Sequence, residues 1–188
     1  MNAERTYPGM CDGSLEIFYH EPSCKLMVIK GGKVMPFKEL TTKDTHFLQE
    51  IIDSDEKLKN VLDLWFFDDT QKKVECLARC RFGGLNTVPD YSEGQIASPD
   101  HINCAYRGKC IGEGIICKPI VYNGFSLTPL DIKAIQFMST DMKNTAICQE
   151  LEIAEGSFNV FRTILYQKLG NIKSKQELAR IGVMLGIC

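Results

Sequence analysis

Nine cysteines stand in a chain of 188 residues, and five of them, Cys76, Cys80, Cys104, Cys110 and Cys117, crowd its middle while Cys11, Cys24, Cys148 and Cys188 are scattered. A disulfide framework is not the expectation. Nine is an odd number, and residues 1–13 are polar, with Glu4, Arg5, Pro8 and Asp12 where an export signal needs an apolar stretch. Metal ligation, or burial as small apolar side chains, remains. The preferred ligand set is Cys80, Cys104, Cys110 and Cys117, spaced C-x23-C-x5-C-x6-C. Four thiolates enclose a Zn2+ ion, and metal binding supplies the folding free energy that a segment with little core of its own lacks. Cys76, one helical turn before Cys80, and His101, just ahead of Cys104, are the alternates for one of the four. An iron–sulfur cluster takes the same kind of thiolate set and is the runner-up to zinc, although no ferredoxin spacing is present. A catalytic zinc would keep an open position and draw on His or carboxylate ligands. Spacing pairs no thiol with His20, His46 or His101, and neither a G-x-x-x-x-G-K loop nor a carboxylate pair stands out, so no enzyme is expected.

The elements that must position these thiols follow from composition and period. With 44% hydrophobic and 24% charged residues the chain is of globular type, and its net charge of −2 excludes an overall basic field for nucleic acid or an acidic membrane. No apolar run is long enough to span a bilayer, and a cytoplasmic protein without a membrane partner is expected. Residues 1–70 carry 8 basic against 13 acidic groups, residues 71–123 carry 7 against 5, and residues 124–188 carry 7 against 6. The acidic character is therefore N-terminal. Leu15–His20, Lys25–Lys30 and Lys33–Phe37 read as strands of an antiparallel meander, with Gly31-Gly32 as a hairpin turn. From Thr42 the period becomes helical: Phe47, Leu48, Ile51 and Ile52 share one face. After the capping signal Ser54-Asp55-Glu56, Leu58, Val61, Leu62, Leu64, Trp65 and Phe66 form a second stripe, and Trp65-Phe66-Phe67 reads as core. Residues 81–123 then hold six glycines with Pro89, Pro99 and Pro119, too loose to bury much core and too long for an unstructured loop.

Residues 127–188 divide into four short helices. Thr128 and Asp131 make a capping box with Pro129 at the first helical position, leading into Ile132, Ile135, Phe137 and Met138. Asn144–Leu151 is the second helix, and Phe158, Phe161, Ile164, Leu165 and Leu169 define a third, ended by Gly170. Ser174 with Glu177 caps the fourth, which carries Leu178, Ile181 and Leu185. Two short helices joined by a tight turn are the arrangement that sets a helix into the DNA major groove.

Over about 60 residues this segment resembles the LuxR/GerE-type DNA-binding domain. The matching residues are the opening L-T-P with Asp131, Asn144 and Ile147 as N-x-x-I, Leu151 and Ile153 as L-x-I, Lys168 to Gly170 as K-L-G, and Ser174 to Leu178 as S-K-x-E-L. The resemblance implies a four-helix module that binds duplex DNA as a dimer, with the third helix as reader and the fourth as dimer contact. The chain departs from the family at Ser157-Phe158-Asn159-Val160-Phe161, where Thr-Val-Lys-x-His is usual: Asn159 replaces the Lys and Phe161 the His. Ser157, Asn159, Arg162 and Tyr166 are expected near base edges, and Lys143, Thr145, Lys168 and Lys173 near phosphates. Arg81 to Leu85 (R-F-G-G-L), with C-x2-R-G-x-C and E-G-x-x-C-K downstream, is similar to bacterial LuxR-type regulators with a cysteine-rich insert.

The expectation is thus an α+β chain in three parts: an acidic α/β unit over 1–75, a zinc-stapled cysteine-rich segment over 76–123, and a helix-turn-helix domain over 124–188. Its expected work is sequence-specific binding of DNA as a homodimer in transcription regulation. Two alternatives stand beside it. One is a metal or redox sensor whose iron–sulfur or labile zinc cluster gates DNA binding; the other is a module that contacts protein, for example transcription machinery, and no DNA.

Overall fold

The computed structural model describes residues 7–188. The chain is α+β, and among the described residues it forms a small antiparallel sheet, a separate two-stranded hairpin and seven α-helices. It divides into two compact units, the first ending at Lys118 and the second running Pro119–Cys188. The cysteine-rich stretch up to residue 118 lies inside the first unit.

In the first unit β1 (Leu15–His20), β2 (Lys25–Lys30) and β3 (Lys33–Pro36) make the expected meander. Leu15 pairs with Lys30 and His20 with Lys25, and Lys30 pairs in turn with Lys33. The Gly31-Gly32 turn, both glycines at positive φ, fixes this register. Two short strands from much later in the chain, β4 (Tyr91–Ser92) and β5 (Gln95–Ile96), extend the sheet past β1 and give the order β3-β2-β1-β4-β5. Leu15 and Ile17 point into the core as alternation demands, but Glu16 between them is also fully buried, because the segment 83–100 covers the other face of β1.

Three helices pack on this sheet. Helix α1 (Thr42–Ser54) opens on a Thr41–Asp44 capping box, and α2 (Glu56–Phe66) on Asp55, whose carboxylate accepts the Leu58 amide at 3.1 Å. Sequence periodicity did not disclose α3 (Thr70–Phe82), capped by Asp69, whose Val74, Leu77, Ala78 and Phe82 are buried at i, i+3, i+4 and i+8. The core gathers Ile17, Val28, Leu48, Ile52, Leu62, Leu77 and Phe82, with Ile116 joining from the cysteine-rich stretch. The run Trp65-Phe66-Phe67 is less buried than expected. Phe66 packs on the core, whereas Trp65 is 37% and Phe67 78% exposed, since α2 ends at Phe66 and Phe67 turns away with φ of 45°.

The second unit opens with a hairpin of β6 (Val121–Tyr122) and β7 (Phe125–Ser126). The four expected helices follow: α4 (Pro129–Met138), α5 (Asn144–Glu150), α6 (Glu155–Lys168) and α7 (Lys175–Met184). The capping box of α4 is formed in both directions, the Thr128 amide donating to Asp131 at 2.8 Å and the Asp131 amide to Thr128 Oγ1 at 3.1 Å. Ile135, Met138, Ile147, Phe158, Leu165 and Leu178, one or more from each helix, close a single core. Among the described residues no helix is long and apolar enough to cross a membrane.

Candidate functional site

The cysteine-rich stretch is built on α3 and on two consecutive turns. Cys76 and Cys80 lie one helical turn apart on α3, and both are half-buried. The neighbouring thiol and burial hold the Cys76 thiol above the ordinary range, whereas the Cys76 thiol and the Arg79 guanidinium draw Cys80 down to about 7. Downstream, Cys104 and Cys110 each open a turn of the same form. The Arg107 amide donates to the Cys104 carbonyl at 3.1 Å and the Glu113 amide to the Cys110 carbonyl at 3.1 Å, and a glycine at positive φ, Gly108 or Gly114, follows each. The turns clasp one another: Glu113 accepts the Gly108 amide and faces Arg107 at 3.7 Å. Buried Arg81 ties the stretch to α3 by donating to the carbonyls of Ile115 and Ile116, both at 2.8 Å. Gly112 passes so close to Trp65 that a Cβ there would sit 2.9 Å from the indole Cη2.

All five central cysteines, including the expected ligands Cys80, Cys104, Cys110 and Cys117, are free thiols and half-buried. Their donor type suits zinc or an iron–sulfur cluster. Among the described residues, however, no group of three or more His, Cys, Asp or Glu side chains is gathered as a metal-binding set. The pair that is brought together, Cys76 with Cys80, includes the residue held as an alternate. His101, the other alternate, is half-buried, and burial and then the Arg107 charge lower its imidazole below the ordinary range.

In the second unit the element of interest is α5, the turn over 151–154, and α6. Ile147, Cys148, Phe158 and Leu165 lock the two helices to the core and so fix which side of α6 faces outward. Lys143 and Thr145 at the start of α5 are exposed, as are Ser157, Asn159 and Lys173. Three expected contact residues sit differently. Arg162 is half-buried, Tyr166 packs against the core, and the Lys168 ammonium is 2.7 Å from the buried Asp131 carboxylate. In their place Val160, Ile164 and Gln167 stand on the open side. The outward face is thus turned by about one residue from the expected one.

A third cluster was not foreseen at all. Glu16 of β1, Asp90 beside β4 and Asp100 meet around Asn86. Glu16 Oε1 accepts the Asn86 amide at 2.9 Å, Asp90 Oδ2 accepts the Ile17 amide at 2.6 Å, and Asp100 accepts the Asn86 side chain at 2.6 Å and the Gly84 amide at 3.0 Å. Glu16 Oε2 and Asp90 Oδ1 are buried without a hydrogen-bond partner. Burial first, then the Asp100 charge, pushes Glu16 up to about 9; burial, Asp100 and Glu16 push Asp90 well above the carboxylate range; and burial raises Asp100 to about 7. Glu16 and Asp90 have no exposed surface, so no substrate reaches them. The cluster is a buried acid seam between β1 and the segment 83–100, invisible in the sequence because Glu16 lies some 70 residues from its partners.

No protein-family model matches the chain, and no curated protein and no solved structure is significantly similar to it.

Proposed function

We propose that the chain is a sequence-specific DNA-binding transcription regulator of the LuxR/GerE type, in which α5 and α6 act as a helix-turn-helix and a dimer reads duplex DNA through α6. The observation that carries the reading is α6 itself. It is a fourteen-residue helix held by Phe158 and Leu165, with its other side open to solvent along its length. Exposed Lys143, Thr145 and Lys173 flank it and suit phosphate oxygens. The match of L-T-P, N-x-x-I, K-L-G and S-K-x-E-L to that family adds independent support, since it was read from other positions than the exposed face.

The experiment is a titration of fluorescent duplex DNA with the full chain at several salt concentrations. A phosphate-neutralising protein gives a log–log slope of about −0.9 per phosphate contacted, and Lys143→Ala and Lys173→Ala each reduce its magnitude by about 1. Lys168→Ala leaves the slope unchanged, because that ammonium is held by Asp131. A protein that contacts protein alone gives no such slope.

Zinc held by Cys80, Cys104, Cys110 and Cys117 belongs to the same proposal. Its support is the soft donor set and the paired turns at Cys104 and Cys110, and its role is to staple residues 104–118 to α3, since that part of the stretch contributes only Ile115 and Ile116 to the core. The two half-buried free thiols Cys76 and Cys80, one turn apart on α3, favour one further reading, a labile zinc or iron–sulfur cluster that gates DNA binding. Anaerobic purification separates the two metals, since an iron–sulfur protein absorbs in the visible and a zinc protein does not, and removal of zinc by a chelator then separates a labile site, whose loss changes DNA affinity, from a structural one, whose loss unfolds the stretch.

A further inference from the structure

The open face of α6 carries a composition that bears on which bases it meets. Val160, Thr163 and Gln167 form its centre at i, i+3 and i+7, with Asn159 on one flank and Ile164 on the other, and all five are exposed. Val160 is 62% and Ile164 48% exposed, unusual for two branched aliphatic side chains a turn apart on the free side of a helix. Thr163 donates its hydroxyl hydrogen to the Asn159 carbonyl at 3.0 Å, which leaves its methyl as the group turned to other partners. The two cations of α6 are withdrawn: Arg162 is half-buried, and Lys168 is paired with Asp131.

In the major groove, guanine is read chiefly by Arg or Lys on O6 and N7, adenine by the carboxamide of Asn or Gln on N6 and N7, and thymine by apolar contact with its 5-methyl group. The open face of α6 offers carboxamides and methyl groups and no cation. Glu155, exposed at the first helical position, is the group there suited to the amino group of a cytosine.

We infer that α6 reads A·T base pairs, with Val160, Thr163 and Ile164 against thymine methyl groups and Asn159 or Gln167 on adenine, and a C·G pair admitted at the Glu155 end of each half-site. This rests on the DNA-binding reading above and specifies its target.

The test starts with selection of tight-binding sequences from a random duplex library by the full chain. The selected site is then remade with deoxyuridine for thymine, which deletes the 5-methyl group and leaves base pairing intact. The expected site has an A·T core in each half, and deoxyuridine weakens binding about fourfold for each methyl group that is buried. The Val160→Ala/Ile164→Ala double variant, altered only at exposed positions, keeps no more than the factor of about four that the Thr163 methyl contact supplies. A G·C core, or wild-type affinity indifferent to deoxyuridine, overturns the inference and leaves DNA binding standing. Absence of any salt-dependent duplex binding by a chain whose circular dichroism is helical overturns the DNA-binding reading and this inference with it.

Discussion

Glu16→Gln isolates the proton held in the buried acid seam. In the folded chain burial keeps Glu16 protonated up to about pH 9, whereas in the unfolded chain it ionises near its ordinary value of 4.5. The folded form thus binds one proton more than the unfolded form throughout that interval. Stability from this group is complete below the unfolded value and drains away as pH rises toward 9, at about 1.4 kcal/mol per pH unit for one proton. The carboxamide of Gln keeps the oxygen that accepts the Asn86 amide, is neutral at every pH, and releases no proton on folding or unfolding. Urea unfolding followed by fluorescence of Trp65, the one tryptophan, reports on the first unit directly. Between about pH 6 and about pH 8 the stability difference between variant and wild type should shift by about 3 kcal/mol in favour of the variant. The slope is set by proton count alone, so it does not depend on how far beyond pH 8 the group titrates. Parallel stability lines for the two proteins would falsify the account of Glu16 as a protonated acid.

Two further outcomes follow from the geometry. Lys168→Ala removes the partner of Asp131, which is 1% exposed, and leaves that carboxylate with its backbone contacts alone; the second unit should lose about 3 kcal/mol, read from hydrogen exchange of α4 amides. Metal analysis of the purified chain should find zinc in equal proportion to protein, lost in Cys104→Ser and retained in Cys24→Ser, whose thiol is exposed and far along the chain from the cluster. Retention of zinc in Cys104→Ser moves that ligand position to Cys76.

The parts of the fold that were legible in the sequence are those specified locally. The β1–β3 meander alternates with period two around Gly31-Gly32, α1 shows in the helical period of Phe47, Leu48, Ile51 and Ile52, and each of α2, α4 and α7 announces itself by a cap within its first turn. Helix α3 escaped because its four buried apolar positions are interleaved with Glu75, Arg79, Arg81 and the two cysteines and preceded by Lys72 and Lys73, so its apolar stripe is narrow. Glu16 escaped for a different reason. Strand alternation says which side of β1 it occupies, but not that a segment 70 residues later closes over that side. On α6 the packing of Phe158 and Leu165 against the core leaves Ser157, Asn159 and Thr163 outward as the family pattern implies, but turns Arg162 and Tyr166 partly inward and Val160 and Ile164 outward, which side-chain periodicity alone does not settle.

The charge of the second unit bears on how it would hold DNA. Residues 124–188 carry 7 basic against 6 acidic groups, Lys168 is committed to Asp131, and Glu150, Glu152 and Glu155 stand around the start of α6. A single module of this kind contacts few phosphates, and phosphate contacts supply most nonspecific affinity. Two modules joined in a dimer make the second contact intramolecular, and the gain over one module is on the order of 10²- to 10⁴-fold without any new contact. A duplex carrying both half-sites, one helical turn apart, should therefore bind at least about a hundredfold more tightly than a duplex carrying one. Moving the half-sites by half a turn should abolish that advantage, because the second module then faces the wrong side of the helix. Equal affinity for the one-site and two-site duplexes would mean that each chain acts alone, and the weak charge of the module would then have to be offset by base contacts along α6.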